Sequence, residues 1–212
     1  MGQSGSGKST LLYNISGMDH PDQGSVKFEG EEITTLKEEG LGKLRLTKMG
    51  FVFQHSYLLK NLSIRDNIVL PGFKAMKFSR EQVNERADTL LKQTGIEPIA
   101  THDIKKVSGG QLQRAAICRA LINQPKVIFA DEPTGALNSS ATLEIMDLID
   151  SVHKEGTTIV LVTHDARVAA RADRVIFLKD GSIHEEFNLS NYKEDVRMRE
   201  SRLNEWLKLQ GF

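Results

Sequence analysis

Glycine, lysine and serine residues at fixed spacing open the chain and predict a phosphate-binding loop. Gly2, Gly7, Lys8 and Ser9 match the pattern G-x-x-x-x-G-K-[ST]. Small residues let successive backbone N–H groups converge on phosphate oxygens, and the helix that follows adds the positive end of its dipole. Lys8 would supply a cation for the β- and γ-phosphates of a triphosphate, and Ser9 a hydroxyl ligand for Mg²⁺. The predicted nucleotide-binding residues here are Gly2, Ser4, Gly5, Ser6, Gly7, Lys8, Ser9 and Thr10.

A flexible Gly/Ser leader ahead of a helix would carry similar letters. The loop interpretation therefore depends on finding the other parts of such a site. Two adjacent carboxylates, Asp131 and Glu132, follow the apolar residues 127–130. Active sites of open parallel sheets lie at the carboxyl ends of strands, so Asp131 is expected to hold Mg²⁺ and Glu132 to polarise an attacking water. A solvated D-E-P turn is the alternative.

Two further polar residues end apolar runs. Gln54 follows G-F-V-F, where its amide would touch the Mg²⁺ shell or the water. His164 follows residues 157–163, where an imidazole can donate a hydrogen bond to a γ-phosphate and sense its loss. Either residue taken alone is more often structural or solvated. The predicted catalytic residues are Glu132, His164 and Gln54, and the predicted metal ligands are Ser9, Gln54 and Asp131.

A second anion site is predicted at residues 107–111, which read V-S-G-G-Q and open a helix. A hydroxyl, small residues and unpaired N–H groups meet there, although alone they would indicate only a serine-capped helix. One chain thus carries two phosphate-binding helix starts, which need not serve one nucleotide in cis. If two copies meet head to tail, each nucleotide would lie between residues 4–10 of one copy and a second set on the other copy. That second set is Ser108, Gly109, Gly110 and Gln111.

Strands and helices alternate in the order typical of an α/β domain with a parallel core sheet. Apolar runs at residues 50–54, 126–130 and 157–163 predict strands, the last two buried on both faces. Residues 174–178 and 182–187 predict a hairpin at the edge. These strands would place the polar residues at their ends.

The stretch between the first two of these strands, residues 55–120, is helical in character. One helix is predicted over residues 61–70 and stops at the following proline. A second begins with a capping box and covers residues 79–95. A third follows residues 108–110 and is expected to bury Leu112, Ala116, Ala120 and Ile117.

Composition limits the remaining possibilities. The chain has 212 residues, of which 39% are hydrophobic, enough for one compact domain with a subdomain. Its 28 basic and 28 acidic residues cancel, so charge gives no case for binding nucleic acid or an anionic membrane surface. The single cysteine, Cys118, excludes an internal disulfide and is predicted to be a packed, inert thiol. No apolar run reaches the length of a membrane span, and Met1 leads directly into the loop, so a cytosolic, soluble protein is expected.

The constellation of motifs resembles the ATP-binding subunit of ABC transporters, over essentially the whole chain. The matching motifs are the Walker A loop at 2–10, the Q-loop Gln54, the signature at 107–111, Walker B at 127–131, Glu132, the D-loop at 135–138 and the switch His164. The stretches G-F-V-F-Q, A-D-E-P-T-G-A-L-N and L-V-T-H-D are similar to the branch serving lipoprotein release, macrolide efflux and bacitracin-type peptide resistance.

This resemblance implies a P-loop NTPase (RecA-like) core over residues 1–54 and 121–188, a helical subdomain at 55–120 and a C-terminal helix at 189–212. It also implies a homodimer that sandwiches ATP and Mg²⁺ and drives a membrane permease by ATP hydrolysis. Residues 54–61 would form much of the groove that receives the permease, no nucleic acid is expected as a partner, and the chain would lie at the inner face of the cell membrane. The apolar face of residues 192–212 is more typical of a helix packed on its own domain than of a docking helix.

The chain departs from the family pattern at three places. Val107 replaces the usual leucine, and Asn138 stands where the D-loop usually has aspartate, which puts coupling between the two sites in doubt. The family also has antiparallel strands, an adenine-stacking aromatic residue and the strand that leads into Walker A, whereas only Met1 precedes Gly2 here. We expect the natural protein to be longer, and ATP binding to be weakened in a chain that begins at this methionine.

Three functions are compatible with these motifs. The first is an ATPase subunit that energises export or peptide detoxification. The second is a non-transport ABC ATPase of DNA repair or translation, which typically carries two cassettes or a long coiled-coil insertion. The third is a catalytically idle module that regulates a permease, as in cell-division relatives. The presence of Glu132 and His164 favours turnover.

Overall fold

The computed structural model describes residues 1–190 and 195–211 of the chain. These residues form two compact units. The smaller unit holds residues 1–13 with the described part of 162–212, and the larger holds residues 14–161. The predicted partition into a core at 1–54 and 121–188, a helical insertion at 55–120 and a terminal helix at 189–212 stays a prediction.

The described chain is a mixed α/β structure with a parallel sheet, as the sequence predicts. Its α-helices are α1 (Lys8–Ile15), α2 (Glu38–Lys48), α3 (Ile64–Ala75), α4 (Arg80–Gln93), α5 (Gly109–Leu121), α6 (Ser139–Lys154), α7 (Ala166–Ala169) and α8 (Val196–Leu209). Its strands are β1 (Lys27–Phe28), β2 (Glu31–Glu32), β3 (Met49–Phe53), β4 (Val127–Asp131), β5 (Thr158–Val162), β6 (Arg174–Lys179) and β7 (Ser182–Asn188). Short 3₁₀ helices cover Glu97–Ile99 and Ile104–Lys106.

The parallel sheet has β4 at its centre, between β3 and β5. β3 pairs with β4 from Met49 opposite Val127 to Phe53 opposite Asp131. The first four residues of β4 are buried, as expected for a strand covered on both faces. The prediction of a fully buried strand at 157–163 is wrong in its burial: β5 forms, but only Val162 is buried. Among the described residues β5 is an outer strand of the sheet, and side chains at a sheet margin have fewer covering neighbours.

Helices α3, α4 and α5 follow one another between β3 and β4 and pack together. The capping box that opens α4 is confirmed: the Gln82 side chain accepts from the Ser79 N–H at 2.9 Å, and Ser79 Oγ accepts from the Gln82 N–H at 3.2 Å. The expected burial of Leu112 in α5 is wrong, because this residue is only half-buried. The expected burial of Ala116, Ile117 and Ala120 is confirmed, and the buried face of α5 also includes Gln113.

The predicted end of α3 before Pro71 is also wrong, since the helix continues through this proline to Ala75. A proline inside a helix removes one backbone hydrogen bond. Tertiary contacts offset that loss here. Ile68 and Val69 are buried, and the carbonyl of Pro71 accepts a hydrogen bond from Asn123 Nδ2 at 3.1 Å.

The smaller unit is built on the antiparallel pair β6–β7, which confirms the predicted hairpin as a separate two-stranded sheet. A core cluster lies on it, with Met1, Val175, Phe177, Leu203 and Leu207 among its buried members. Leu203 and Leu207 belong to α8, so this helix packs on its own unit. Tyr192 and Phe212, the ends of the stretch predicted to contain this helix, lie outside the described residues.

Candidate nucleotide-binding and catalytic site

The phosphate-loop sequence is fixed to strand β6 at its first residue. The Met1 amino group donates to the carbonyl of Ile176 at 2.6 Å, and the Leu178 N–H donates to the carbonyl of Met1 at 2.8 Å. Gly2 then passes so close to β6 that a Cβ at this position would lie 2.2 Å from the Leu178 carbonyl oxygen. Met1 thus holds the start of the loop by a one-residue pairing, and only glycine fits next to it.

The loop itself turns into α1 at Lys8, as predicted. Gly5 and Gly7 have φ of 81° and 89°, a conformation that lets nearby N–H groups face one concavity. The Ser6 hydroxyl is buried and has no hydrogen-bond partner among the described residues, so its capacity to bond is unmet. Lys8 Nζ donates to the carbonyl of Gln3 across the loop at 2.7 Å. The donors of this loop fit a phosphate group.

The larger unit brings the predicted strand-end residues together at one edge of the sheet. Phe53 and Asp131 lie opposite each other, and Gln54 and Glu132 follow them at the carboxyl ends of β3 and β4. Asp131 and Glu132 are half-buried and Gln54 is exposed. Glu132 has φ of 48°, a left-handed conformation that costs a non-glycine residue about 1 kcal/mol or more and that clusters at functional sites.

The side chain of Gln54 lies against the loop that follows Glu132. A Cβ added to Gly135 would be 3.0 Å from Gln54 Nε2 and 3.3 Å from Gln54 Cδ. Because Gly135 has no side chain, the Gln54 amide has room to lie against it. Asn138, at the end of the same loop, caps α6 because its Oδ1 accepts from the Ala141 N–H at 2.9 Å.

The predicted second anion site is an ordered helix start. Ser108 and Gln111 form a capping box: the Ser108 N–H donates to Gln111 Oε1 at 2.9 Å, and the Gln111 N–H donates to Ser108 Oγ at 3.3 Å. The Ser108 hydroxyl accepts in this arrangement and can still donate its own proton. Ser108 and Gly109 are exposed at the N-terminus of α5, whereas Gly110 lies near Ala141 of α6.

Two further residues of α5 bond to the Gln54 region, and the sequence motifs do not identify them. Gln113 Nε2 donates to the carbonyls of Phe53 and Pro133, both at 2.8 Å. Arg119 donates to the carbonyls of Ser56 at 2.8 Å and Tyr57 at 2.7 Å. The sequence pattern that could have identified Gln113 is a polar residue on an apolar helical face, since position 113 lies one turn before the buried Ile117.

His164 belongs to the smaller unit with the phosphate loop, and it is exposed just after β5. The next residue, Asp165, begins α7: its Oδ1 accepts from the Arg167 N–H at 2.8 Å, and the Arg167 guanidinium donates to both carboxylate oxygens. Burial acts to raise the pKa of Asp165, but the hydrogen bonds from Arg167 outweigh it and hold the pKa below its usual value. The stretch after His164 is therefore held in place by a charged cap.

The predicted metal ligands Ser9, Gln54 and Asp131 offer a hydroxyl, an amide and a carboxylate oxygen. Oxygen donors with one carboxylate suit Mg²⁺, which usually takes its remaining ligands from water and substrate phosphates. In residues 1–190 and 195–211, no group of three or more His, Cys, Asp and Glu side chains is arranged to hold a metal ion. Ser9 belongs to the smaller unit and Gln54 and Asp131 belong to the larger one, and the oxygen donors of each unit are of the kind that Mg²⁺ prefers.

The fold is that of an ABC ATPase cassette. The family model described as ABC transporter matches residues 1–135, and the chain belongs to this family as an ATP-binding component. No helix in the described part of the chain is long and apolar enough to cross a membrane.

Named relatives and solved structures agree with this assignment. The chain is 45% identical to the macrolide export ATP-binding/permease protein MacB of Rhodopseudomonas palustris, over 86% of this chain and 28% of that protein. It is 42% identical to the uncharacterized ABC transporter ATP-binding protein YknY of Bacillus subtilis, over 86% of this chain and 79% of that protein. A dimeric structure of the ATP-binding cassette MJ0796 with ADP and Pi superposes with a TM-score of 0.83 at 41% identity, over 91% of this chain and 84% of that one. The chain thus spans little more than a quarter of the MacB relative's length.

Proposed function

We propose that this chain is the ATP-hydrolysing subunit of an ABC transporter and that it works as a head-to-tail dimer on a membrane permease. The observation that carries the proposal is the register of Phe53 opposite Asp131, which aligns Gln54 and Glu132 at the carboxyl edge of the sheet. A regulatory module without turnover has no need of an acid held at a strand end in a strained backbone conformation.

ATP binding is assigned to the phosphate loop and the helix after it. The backbone of Gly5 and Gly7 and the N-terminus of α1 surround the phosphates, and Lys8 neutralises their charge. To reach a phosphate, Lys8 Nζ exchanges its bond to the Gln3 carbonyl for a charge-assisted one. Thr10 follows in the first turn of α1. Ser9, Gln54 and Asp131 are the residues that would hold Mg²⁺ brought in with ATP, and the ion would supply further charge neutralisation.

The catalytic step is assigned to Glu132, Gln54 and His164. Glu132 accepts a proton from the attacking water, and Gln54 orients that water or its neighbours. His164 donates a hydrogen bond to the terminal phosphate group. The three roles are assigned from residue chemistry and from family resemblance. Each role can be tested by substituting the residue.

The signature residues are assigned to the nucleotide of a second copy. Ser108, Gly109, Gly110 and Gln111 form an exposed helix start whose hydroxyl can donate to a phosphate oxygen. The solved MJ0796 cassette, at 41% identity, is described as dimeric with ADP and Pi. This relative supports a homodimer that binds nucleotide.

The membrane partner is proposed to bind at residues 54–61. Tyr57 and Leu59 in this stretch are 65% and 51% exposed, so two large apolar side chains face solvent next to Gln54. A permease seated there would hold the chain at the inner face of the cell membrane. Relatives named for macrolide export favour an export function on antibiotics, peptides or lipoproteins.

Hydrolysis by the 212-residue chain with and without Glu132→Gln tests the proposal. This variant keeps the side chain's size and removes its basicity, so steady-state phosphate release should fall by about a hundred-fold or more. Glu39→Gln, a change of the same kind on the exposed surface of α2, should leave turnover unchanged. Equal turnover in the wild type and the Glu132 variant would remove Glu132 as the base. No turnover by the wild type would favour a regulatory module.

A further inference from the structure

The helix that begins at the signature residues also holds the backbone at the two strand ends of the candidate site. One amide group, Gln113 Nε2, bonds to the carbonyl before Gln54 and to the carbonyl after Glu132. One guanidinium group, that of Arg119, bonds to two consecutive carbonyls just beyond Gln54. α5 therefore hydrogen-bonds to both segments through side chains to which the proposed function assigns no role.

The Gln113 contacts are the more buried of the two sets: its bond to the Pro133 carbonyl is buried and its bond to the Phe53 carbonyl is partly buried. Gln113 is only 3% exposed, and its two amide hydrogens serve two carbonyls in a water-poor region. Removing the amide would leave both carbonyls without that donor, and a buried polar group that loses its partner is destabilising. Arg119 is half-buried, and burial lowers the pKa of its guanidinium.

Each of these two sets of hydrogen bonds lies next to a residue with a strained backbone. Glu132 and Tyr57 have φ of 48° and 45°, which is unusual for residues with a side chain. Such conformations persist where surrounding bonds fix the backbone. Gln113 bonds to the residue after Glu132, and Arg119 bonds to Tyr57 itself.

We propose that Gln113 and Arg119 are positioning residues through which α5 fixes the backbone around Glu132 and Gln54. Gln113 sets where the Glu132 carboxylate points relative to Gln54. Arg119 sets the shape of residues 54–57, the start of the proposed permease groove. A change at Ser108, at the N-terminus of the same helix, is thereby transmitted to both catalytic side chains. The catalytic part of this inference rests on the proposed function, whereas the positioning part does not.

Hydrogen–deuterium exchange on the full chain tests the positioning part. Gln113→Met keeps the length of the side chain and removes the amide, and Gln93→Met at the exposed end of α4 is the matched control. The Gln113 variant should exchange about ten-fold faster at residues 54–57 and 132–137, while α4 keeps its protection. Unchanged exchange at both segments, or an equal increase throughout the chain, would overturn the proposal.

A second set of variants tests the hydrogen bonds of Arg119. Arg119→Met should raise exchange at residues 54–57, and Arg119→Lys, which keeps one charged donor, should restore part of the protection. Arg86→Met is the control, because Arg86 is also partly buried and bonds to backbone carbonyls, those of Leu121 and Ile122. If Arg86→Met raises exchange at residues 54–57 as much as Arg119→Met does, the assignment to Arg119 is wrong.

Steady-state kinetics separate positioning from a general structural role. Displacing a catalytic group by about 1 Å costs on the order of a hundred-fold in rate, so kcat of the Gln113→Met variant should fall by about ten-fold or more. KM for ATP should stay within about two-fold, because the two carbonyls that Gln113 holds lie outside both the phosphate loop and the signature residues. A rise in KM without a fall in kcat would contradict the catalytic part. If the wild type hydrolyses no ATP, the proposed function fails while the exchange results still decide the positioning part.

Discussion

Phe53 lies directly opposite Asp131 in the parallel pairing of β3 and β4. Because both strands end at this level, the residues that follow them, Gln54 and Glu132, lie at one edge of the sheet. Gln113 bonds to the Phe53 carbonyl and to the carbonyl that follows Glu132, which ties the two strand ends together. The chemistry proposed for this chain depends on that alignment.

Gly135→Ala should lower turnover without unfolding the protein. The added Cβ would lie 3.0 Å from Gln54 Nε2, so the amide must move to make room. A displaced catalytic side chain lowers the rate, by about ten-fold or more in kcat, as measured by phosphate release. Gly42→Ala is the control, since its Cβ meets nothing closer than 4.0 Å. Equal kcat values for Gly135→Ala and the wild type would contradict the placement of Gln54.

Lys8→Met should weaken ATP binding. The variant keeps an aliphatic side chain and loses the cation, and a hydrogen bond to a charged group contributes about 1.5–3 kcal/mol, which is about ten- to a hundred-fold in Kd. Titration calorimetry of the full chain with ATP measures the change. Lys92→Met removes a lysine that is paired with Glu97 on the exposed surface of α4, and it should bind ATP like the wild type. An unaltered Kd in the Lys8 variant would exclude Lys8 as a phosphate ligand.

Asn138→Ala should destabilise the fold, whereas Asn138→Asp should not. Asn138 Oδ1 caps α6 by accepting from the Ala141 N–H, and loss of such a cap costs about 1 kcal/mol. Aspartate retains the accepting oxygen and adds a charge that the helix N-terminus favours. Urea unfolding of the three chains gives the free energies of unfolding. If the alanine variant is as stable as the wild type, the cap is not a stabilising contact.

Cys118 should resist thiol reagents in the native state. Burial raises the pKa of its thiol to about 11, so little thiolate exists at pH 8. Reaction with a colorimetric disulfide reagent at pH 8 should be slow in buffer and fast in guanidinium chloride, since the unfolded thiol has a pKa of about 8.5. Equally fast labelling in both solvents would show that the thiol is accessible.

The sequence identified residues whose chemistry depends on local spacing. The phosphate loop, the capping box of Ser79, the serine cap at Ser108 and the strand ends at Asp131 and Gln54 all follow from residue type and short-range pattern. Contacts between distant segments were not predictable in this way. The sequence around Gln113 resembles that of other polar helical residues, and only the fold brings its amide to the Phe53 carbonyl. Similarly, α3 continues through Pro71 because packing offsets the missing hydrogen bond. The pairing of Met1 with β6 joins residues 175 positions apart, which no local pattern encodes.

The central claim is that the phosphate loop of one copy and the signature helix of another enclose one ATP. Two variants test it together: Lys8→Met inactivates the loop, and Ser108→Arg blocks the signature helix. Each variant alone should hydrolyse almost no ATP. In an equal mixture half of the dimers are mixed, and each mixed dimer holds one intact composite site of two, so phosphate release should return to about a quarter of the wild-type rate. A mixture that stays as inactive as its components would contradict the shared site.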